Sequence, residues 1–212
     1  MAEGETATIG GWLPRRDEQG NLDLSRSTWF FVELNDVVAP WAYEKDRKPF
    51  RVVASLEALA VLVAVITLTE PVAGGNVLGS VLLPLLTDNR GNSFALTRLM
   101  STKYPLCLLV MELAVALEER SLALAAEWAP REWNAEADAI TNSKFEGFSP
   151  GMRIPFSMQD YPWKVLDGLL QDGRVFYREA QEARSAARLG TGRVIRRGGR
   201  GRRASLKERG PW

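Results

Sequence analysis

The stretch SLEALAVLVAVITL, residues 55–68, constrains the fold more than any other segment of the 212-residue chain. As a helix it is apolar nearly all round, so it has no face to give to water. It is stable only when packed against a sheet and further helices, which calls for layers. Ser55 suits the N-cap, and Glu57 then falls in the first turn, where an acid favours the helix dipole. The apolar part, residues 58–68, is too short to span a bilayer and follows Glu57 directly.

The flanking segments supply the sheet. ATIGGWLP, residues 7–14, reads as a strand opening on paired glycines, and STWFFVEL, residues 27–34, has the aromatic and β-branched residues of a second. NDVVAPWAYEKDRKP, residues 35–49, reads as a loop. In VLLPLLTD, residues 81–88, Pro84 cannot donate to a ladder, so the strand is expected to begin there and to be carried by residues 85–87. GNSFALTRLMS reads as a short helix capped by Asn92 or Ser93, and YPLCLLVMELAVALEE as a longer one with Pro105 in its first turn. LALAAEW, residues 122–128, alternates as a strand does. NAEADAIT, residues 134–141, is a helix that Asn134 would cap, with Glu136 and Asp138 in its opening turns. The order β-β-α-β-α-α-β-α specifies a mixed α/β layer architecture. Residues 163–189 add a C-terminal amphipathic helix or helix pair.

Composition then removes whole classes of chemistry. The chain has no histidine and one cysteine. Ser-His and Cys-His nucleophiles, imidazole acid–base catalysis and His-ligated zinc are therefore excluded, as is an internal disulfide. Cys107 lies in the apolar run LCLLVMEL and reads as a buried, inert thiol. Neither G-x-x-x-x-G-K-[ST] nor G-x-G-x-x-G occurs, so the phosphate-cradling loops are absent. A metal bound here would have to take oxygen ligands, which favours magnesium or manganese. No basic region precedes an apolar one at the start, and an intracellular protein, cytoplasmic or nuclear, is expected.

A net charge of +1 conceals an asymmetry. From Arg188 onward nine basic residues face one acid, Glu208, so this tail carries +8 and the remainder −7. GTGRVIRRGGRGRRASLKERG is rich in Gly and Arg without a periodic apolar face, the pattern of a disordered segment. Arg196, Arg197, Arg200, Arg202 and Arg203 would attract phosphate backbones by counterion release. The same composition also suits a solubilising or nuclear-address tail.

Three carboxylates fall where an α/β sheet collects its ligands, just outside the carboxyl ends of strands. Asp88 ends the middle strand, Glu57 lies early in the first long helix, and Asp138 opens the last helix. Converging there, they would repel one another unless a cation sat among them. Each also has an ordinary reading: a dipole-favouring acid for Glu57 and Asp138, and a polar strand stop for Asp88, with Asn89 and Gly91 completing a turn.

Taken together, IGGWLP (9–14), SLEALAVL (55–62), LLTDN (85–89) and WAPREWNAEADAITN (128–142) resemble the ribonuclease H-like domain of retroelement reverse transcriptases, of the dinoflagellate type. TDNRGN and LMSTKYPL share in the resemblance, which covers about residues 7–150. It implies a ribonuclease H-like three-layer fold with a mixed sheet and an endonuclease that cuts the RNA strand of RNA–DNA hybrids. It further implies two Mg2+ or Mn2+ ions on a set of four carboxylates, and an upstream reverse transcriptase domain as a partner. Residue by residue, it assigns catalytic and metal-binding roles to Glu57, Asp88 and Asp138, a helix-orienting role to Asn134 and phosphate contact to Arg131. The domains expected are 1–150 ribonuclease H-like, 151–187 a helical extension and 188–212 the basic tail.

One departure from the family pattern is large. The family opens with a central strand bearing the first catalytic aspartate, ahead of the glycines resembling Gly10 and Gly11. Here only MAEGETATI precedes that pair. Glu3 and Glu5 are acidic but lack a strand of their own, and Asp17, Asp23 and Asp36 match nothing. The expectation is a fragment of a longer polyprotein, with weak or no activity alone and two sheet edges left unpaired. The alternative is a catalytically inactive nucleic-acid-binding or structural module working through its tail. A transposase-like or resolvase-like carboxylate nuclease of the same fold would carry a similar site.

Overall fold

Aromatic and β-branched residues at a two-residue period build the first sheet. The computed structural model describes residues 2–3, 6–43, 49–72 and 79–168, with single positions at 175, 179 and 182. Strands β1 (Ala2–Glu3), β2 (Thr6–Leu13) and β3 (Thr28–Leu34) pair antiparallel in that order. The register between β2 and β3 runs from Ala7↔Leu34 to Leu13↔Thr28. Alternation sends Ala7, Ile9, Phe30, Val32 and Leu34 into the main core. It sends Trp29 and Phe31 to the opposite face, where they meet Ile140 and Phe148. Both faces of this sheet are therefore covered, the arrangement the all-apolar helix requires.

After β3 comes a short helix, α1 (Pro40–Tyr43), inside the segment 35–49 that reads as a loop. Its signal is tertiary. Trp41, Ala42 and Tyr43 are buried, and the Tyr43 hydroxyl donates to the Leu34 carbonyl at 2.7 Å. Helix α2 (Val53–Leu68) begins three residues earlier than expected, with Val52 rather than Ser55 at its N-cap. Ser55 is thus a buried residue of the helix rather than its cap, and Glu57 lies beyond the first turn. Leu59, Leu62 and Val63 are fully buried, as an all-apolar helix between layers demands.

The second sheet pairs β4 (Val81–Thr87) with β5 (Leu122–Trp128) in parallel, joined through α3 (Arg90–Arg98) and α4 (Leu106–Glu118). Pro84 does not start β4 but lies within it, opposite Ala125. Among the described residues β4 has a partner on one side only, and such a strand accommodates a proline. Leu83, Leu85, Leu122, Leu124 and Ala126 join the main core. On the other face of β4, Leu82 and Leu86 are exposed. Helix α5 (Ala135–Thr141) follows a 3-10 turn, Arg131–Asn134. It lies against β2, and the Thr8 hydroxyl donates to the Thr141 carbonyl at 2.7 Å.

The chain is thus a mixed α/β protein. Its strands form two sheets rather than the single mixed sheet expected, and both contribute to one core. Among the described residues no ladder joins the two. Among the described residues β1 is the one strand on the second edge of β2, and it pairs there at Thr6 and Ala7. A buried backbone group left without a partner costs about 1–3 kcal/mol.

Residues beyond 150 pack on the same core through Met158 and Leu166. Buried Glu112 of α4 accepts from the backbone N–H groups of Lys164, Val165 and Leu166 at 2.7–2.9 Å, capping the helical residues 166–168. The chain divides into two compact units, Met1–Val175 and Phe176–Trp212. In the second, the described positions 179 and 182 are helical. The basic tail, with Arg196, Arg197, Arg200, Arg202 and Arg203, lies outside the described residues, as does Glu5. No helix among the described residues is long and apolar enough to cross a membrane.

Candidate functional site

The site forms where β4 runs out. The ladder is extended past Thr87 by the Ala129 N–H, which donates to the Thr87 carbonyl at 2.9 Å. The Thr87 hydroxyl then accepts from the Asn89 N–H at 3.2 Å. Asn89, rather than Asn92 or Ser93, caps α3: its side-chain oxygen accepts from Gly91 at 3.0 Å and Asn92 at 3.2 Å. Asp88 is thus the single residue between the strand end, Thr87, and the helix cap, Asn89. The Trp128 indole N–H donates to the Asp88 carbonyl at 3.1 Å and fixes its backbone from the neighbouring strand.

Asn92 is freed from capping and does something else. Its side chain is buried, and its amide nitrogen donates to Glu57 Oε2 at 2.7 Å and to the Ala54 carbonyl at 2.9 Å. This couples α3 to α2 and orients the Glu57 carboxylate. Burial raises the proton affinity of Glu57, and the negative charge of Asp88 raises it further. Hydrogen bonds from Asn89 and Asn92 offset part of that rise. The Asp88 carboxylate is near enough to oppose the ionisation of Glu57.

Asp138 is positioned differently. Arg131 Nε donates to Asp138 Oδ2 at 2.7 Å across the 3-10 turn. This hydrogen bond and the Asp138 charge hold Arg131 more firmly protonated, and Asp88 adds to the effect. Asp88 therefore acts electrostatically on both Glu57 and Arg131. Arg131 is occupied by a carboxylate where phosphate contact was expected. Asn134 stands at the N-cap of α5 as expected, but its side chain makes no capping hydrogen bond. The helix starts there because the preceding 3-10 turn already sets its direction.

Among the described residues, no three acidic or thiol side chains close on a point suited to a metal ion. Glu57 and Asp88 come together, while Asp138 is compensated by Arg131. The donor set of Glu57, Asp88 and Asp138 consists of carboxylate oxygens, the chemistry a hard divalent cation prefers. The like-charge pressure on Glu57 is what such a cation would relieve.

Sequence reading missed three parts of this site. Asn92 has a signal in hindsight, an N-x-x-N spacing in which the first asparagine caps and the second lies a turn inside. Trp128 carries the indole that holds Asp88, and its ring lies 4.3 Å from the Arg90 guanidinium. Neither contact has a sequence signature, since each joins residues 38–40 positions apart. No protein-family model, curated protein or solved structure matches the chain.

Proposed function

We propose that this chain is a ribonuclease H-like domain that cuts the RNA strand of RNA–DNA hybrids with Mg2+ or Mn2+. The pairing of Glu57 with Asp88 carries this reading. Two acids from separate elements meet at the end of a parallel strand, and burial with mutual repulsion raises the proton affinity of one. Glu57, Asp88 and Asp138 are the residues that would hold the ions. A bound divalent ion supplies charge stabilisation to the phosphodiester and an activated water. The chain's own residues orient and exclude. Asn92 fixes the Glu57 carboxylate, Asn89 and Trp128 fix the Asp88 backbone, and Arg131 must release Asp138 before that carboxylate can act.

Among the described residues one edge of β4, and that of β2 beyond Ala7, carry no strand, which fits a domain whose sheet is completed by a further strand, and a reverse transcriptase polypeptide is the partner this reading implies. Activity of the 212-residue chain is then weak. The test is incubation with a labelled RNA–DNA hybrid and Mg2+ or Mn2+, beside Asp88→Asn. Slow cleavage of the RNA strand is expected, lost in the variant while hybrid binding survives. Cleavage that persists in Asp88→Asn refutes the reading.

A second reading is favoured by the Arg131–Asp138 ion pair, which leaves one of the three acids already neutralised without a metal. In it the chain is a non-catalytic nucleic-acid-binding module and the basic tail supplies affinity. Binding that falls only on removal of residues 188–212, with no cleavage under any divalent ion, selects this alternative.

A further inference from the structure

Large aromatic side chains stand in water around the acids. Trp133 is 70% exposed, Phe94 65% and Trp128 42%. Clustered exposure of this kind marks a binding surface more often than chance. Two contacts tie this surface to the acids. Phe94 lies one turn from Arg90 on α3, Arg90 stacks on Trp128 at 4.3 Å, and Trp128 donates to the Asp88 carbonyl. Trp133 follows five residues after Trp128, on the 3-10 turn Arg131–Asn134 that leaves the end of β5. The backbone N–H of Trp133 donates to the Pro130 carbonyl at 2.9 Å, so its side chain is mounted on a closed turn.

Among the described residues Arg90 forms no ion pair. Its guanidinium is held over an indole, which leaves its charge available to a phosphate. A planar cation beside aromatic faces is the combination that binds unpaired nucleotides, with bases on the rings and the backbone on the cation. Stacked bases inside a duplex cannot use such faces.

Resting on the ribonuclease reading of the neighbouring acids, we propose that Trp133, Trp128 and Arg90 form a docking surface for unpaired nucleotides. The preferred substrate is then a hybrid with a single-stranded flank rather than a blunt one. Trp133 is the principal stacking platform and Arg90 the phosphate contact. Acids lie alongside (Asp88, Asp138, Glu132), so this surface works mainly by stacking, and its contribution survives salt that screens the basic tail.

The test is fluorescence anisotropy with the full chain in EDTA, where nothing is cleaved. The probes are a single strand, a blunt RNA–DNA hybrid and the same hybrid with an overhang, each at low and high salt. Trp133→Ala, a surface change, is expected to weaken single-strand and overhang binding about tenfold at both salts and to leave the blunt hybrid unchanged. Arg90→Ala is expected to reduce the slope of log affinity against log salt by about one. The proposal is overturned if Trp133→Ala binds all three probes like the parent chain, or loses blunt and overhang binding equally. Hybrid cleavage together with an unaffected Trp133→Ala removes this inference alone. Trp133-dependent single-strand binding without cleavage under any metal removes the nuclease reading and leaves the surface.

Discussion

Glu57 is half-buried and Glu112 buried, and different neighbours meet the two acids. Burial, and then the charge of Asp88, raise the proton affinity of Glu57 in the folded state. A carboxyl whose proton affinity is higher in the folded state stabilises fully below its unfolded pKa and loses that contribution as pH rises through its folded value. Stability should therefore decline from the ordinary carboxylate range upward. Glu57→Gln should remove that part of the decline, as read from urea midpoints between pH 4 and 8. Added Mg2+ should raise the melting temperature of the parent chain and do so less in Asp88→Asn. Glu112 instead receives three backbone N–H groups from Lys164, Val165 and Leu166. Glu112→Ala leaves those donors buried without a partner and should cost about 3–5 kcal/mol. A urea melt checks this, and a loss below 1 kcal/mol would show that the 163–168 segment is not anchored there. In sequence Glu112 was a lone acid in an apolar helix, and nothing local named its partner 52 residues away.

At the scale of elements, the paired glycines of β2 are a packing requirement. A Cβ on Gly10 would lie 2.5 Å from Ile140 Cγ2, and one on Gly11 2.8 Å from the Phe30 ring. Helix α5 reaches β2 because Gly10 has no side chain, and that approach brings Asp138 toward the strand ends. Gly10→Ala should push α5 outward and destabilise by about 1–3 kcal/mol, the usual effect of overpacking. Near-ultraviolet circular dichroism of the Trp29–Phe148 cluster should report the shift. Elements with a clear period were legible from sequence: β5 has the bounds its alternation gives, and β3 falls within a residue of its own. Those that missed did so for nonlocal reasons. α1 exists because Trp41 and Tyr43 are buried, and β4 accommodates Pro84 because, among the described residues, it has a partner on one side only.

At the scale of the molecule, two sheets share a core, and among the described residues no ladder joins them. Edges of this kind are sites of opening and association. Hydrogen exchange should be fast for β2 amides that do not bond to β3 and for β4 amides that do not bond to β5, and slow for α2 and α4. Uniform protection across β2 and β4 would show that another segment covers those edges. The chain should also associate at high concentration through the exposed Leu82 and Leu86.

The amino-acid sequence determined the chemical palette and the layering. A chain without histidine and with one cysteine has only oxygen ligands to offer a metal, and an all-apolar helix must lie between other elements. It also placed Asp88 at a strand end, because apolar period and turn chemistry are local properties. Which acid meets which neighbour was decided by tertiary structure. Glu57 is turned by Asn92, Asp138 by Arg131, and Asp88 is held by Trp128. The Asn92 and Trp128 bonds cross between elements, and the Arg131 bond depends on a turn packed against α5. Such contacts arise from three-dimensional packing, which no local period in the sequence encodes.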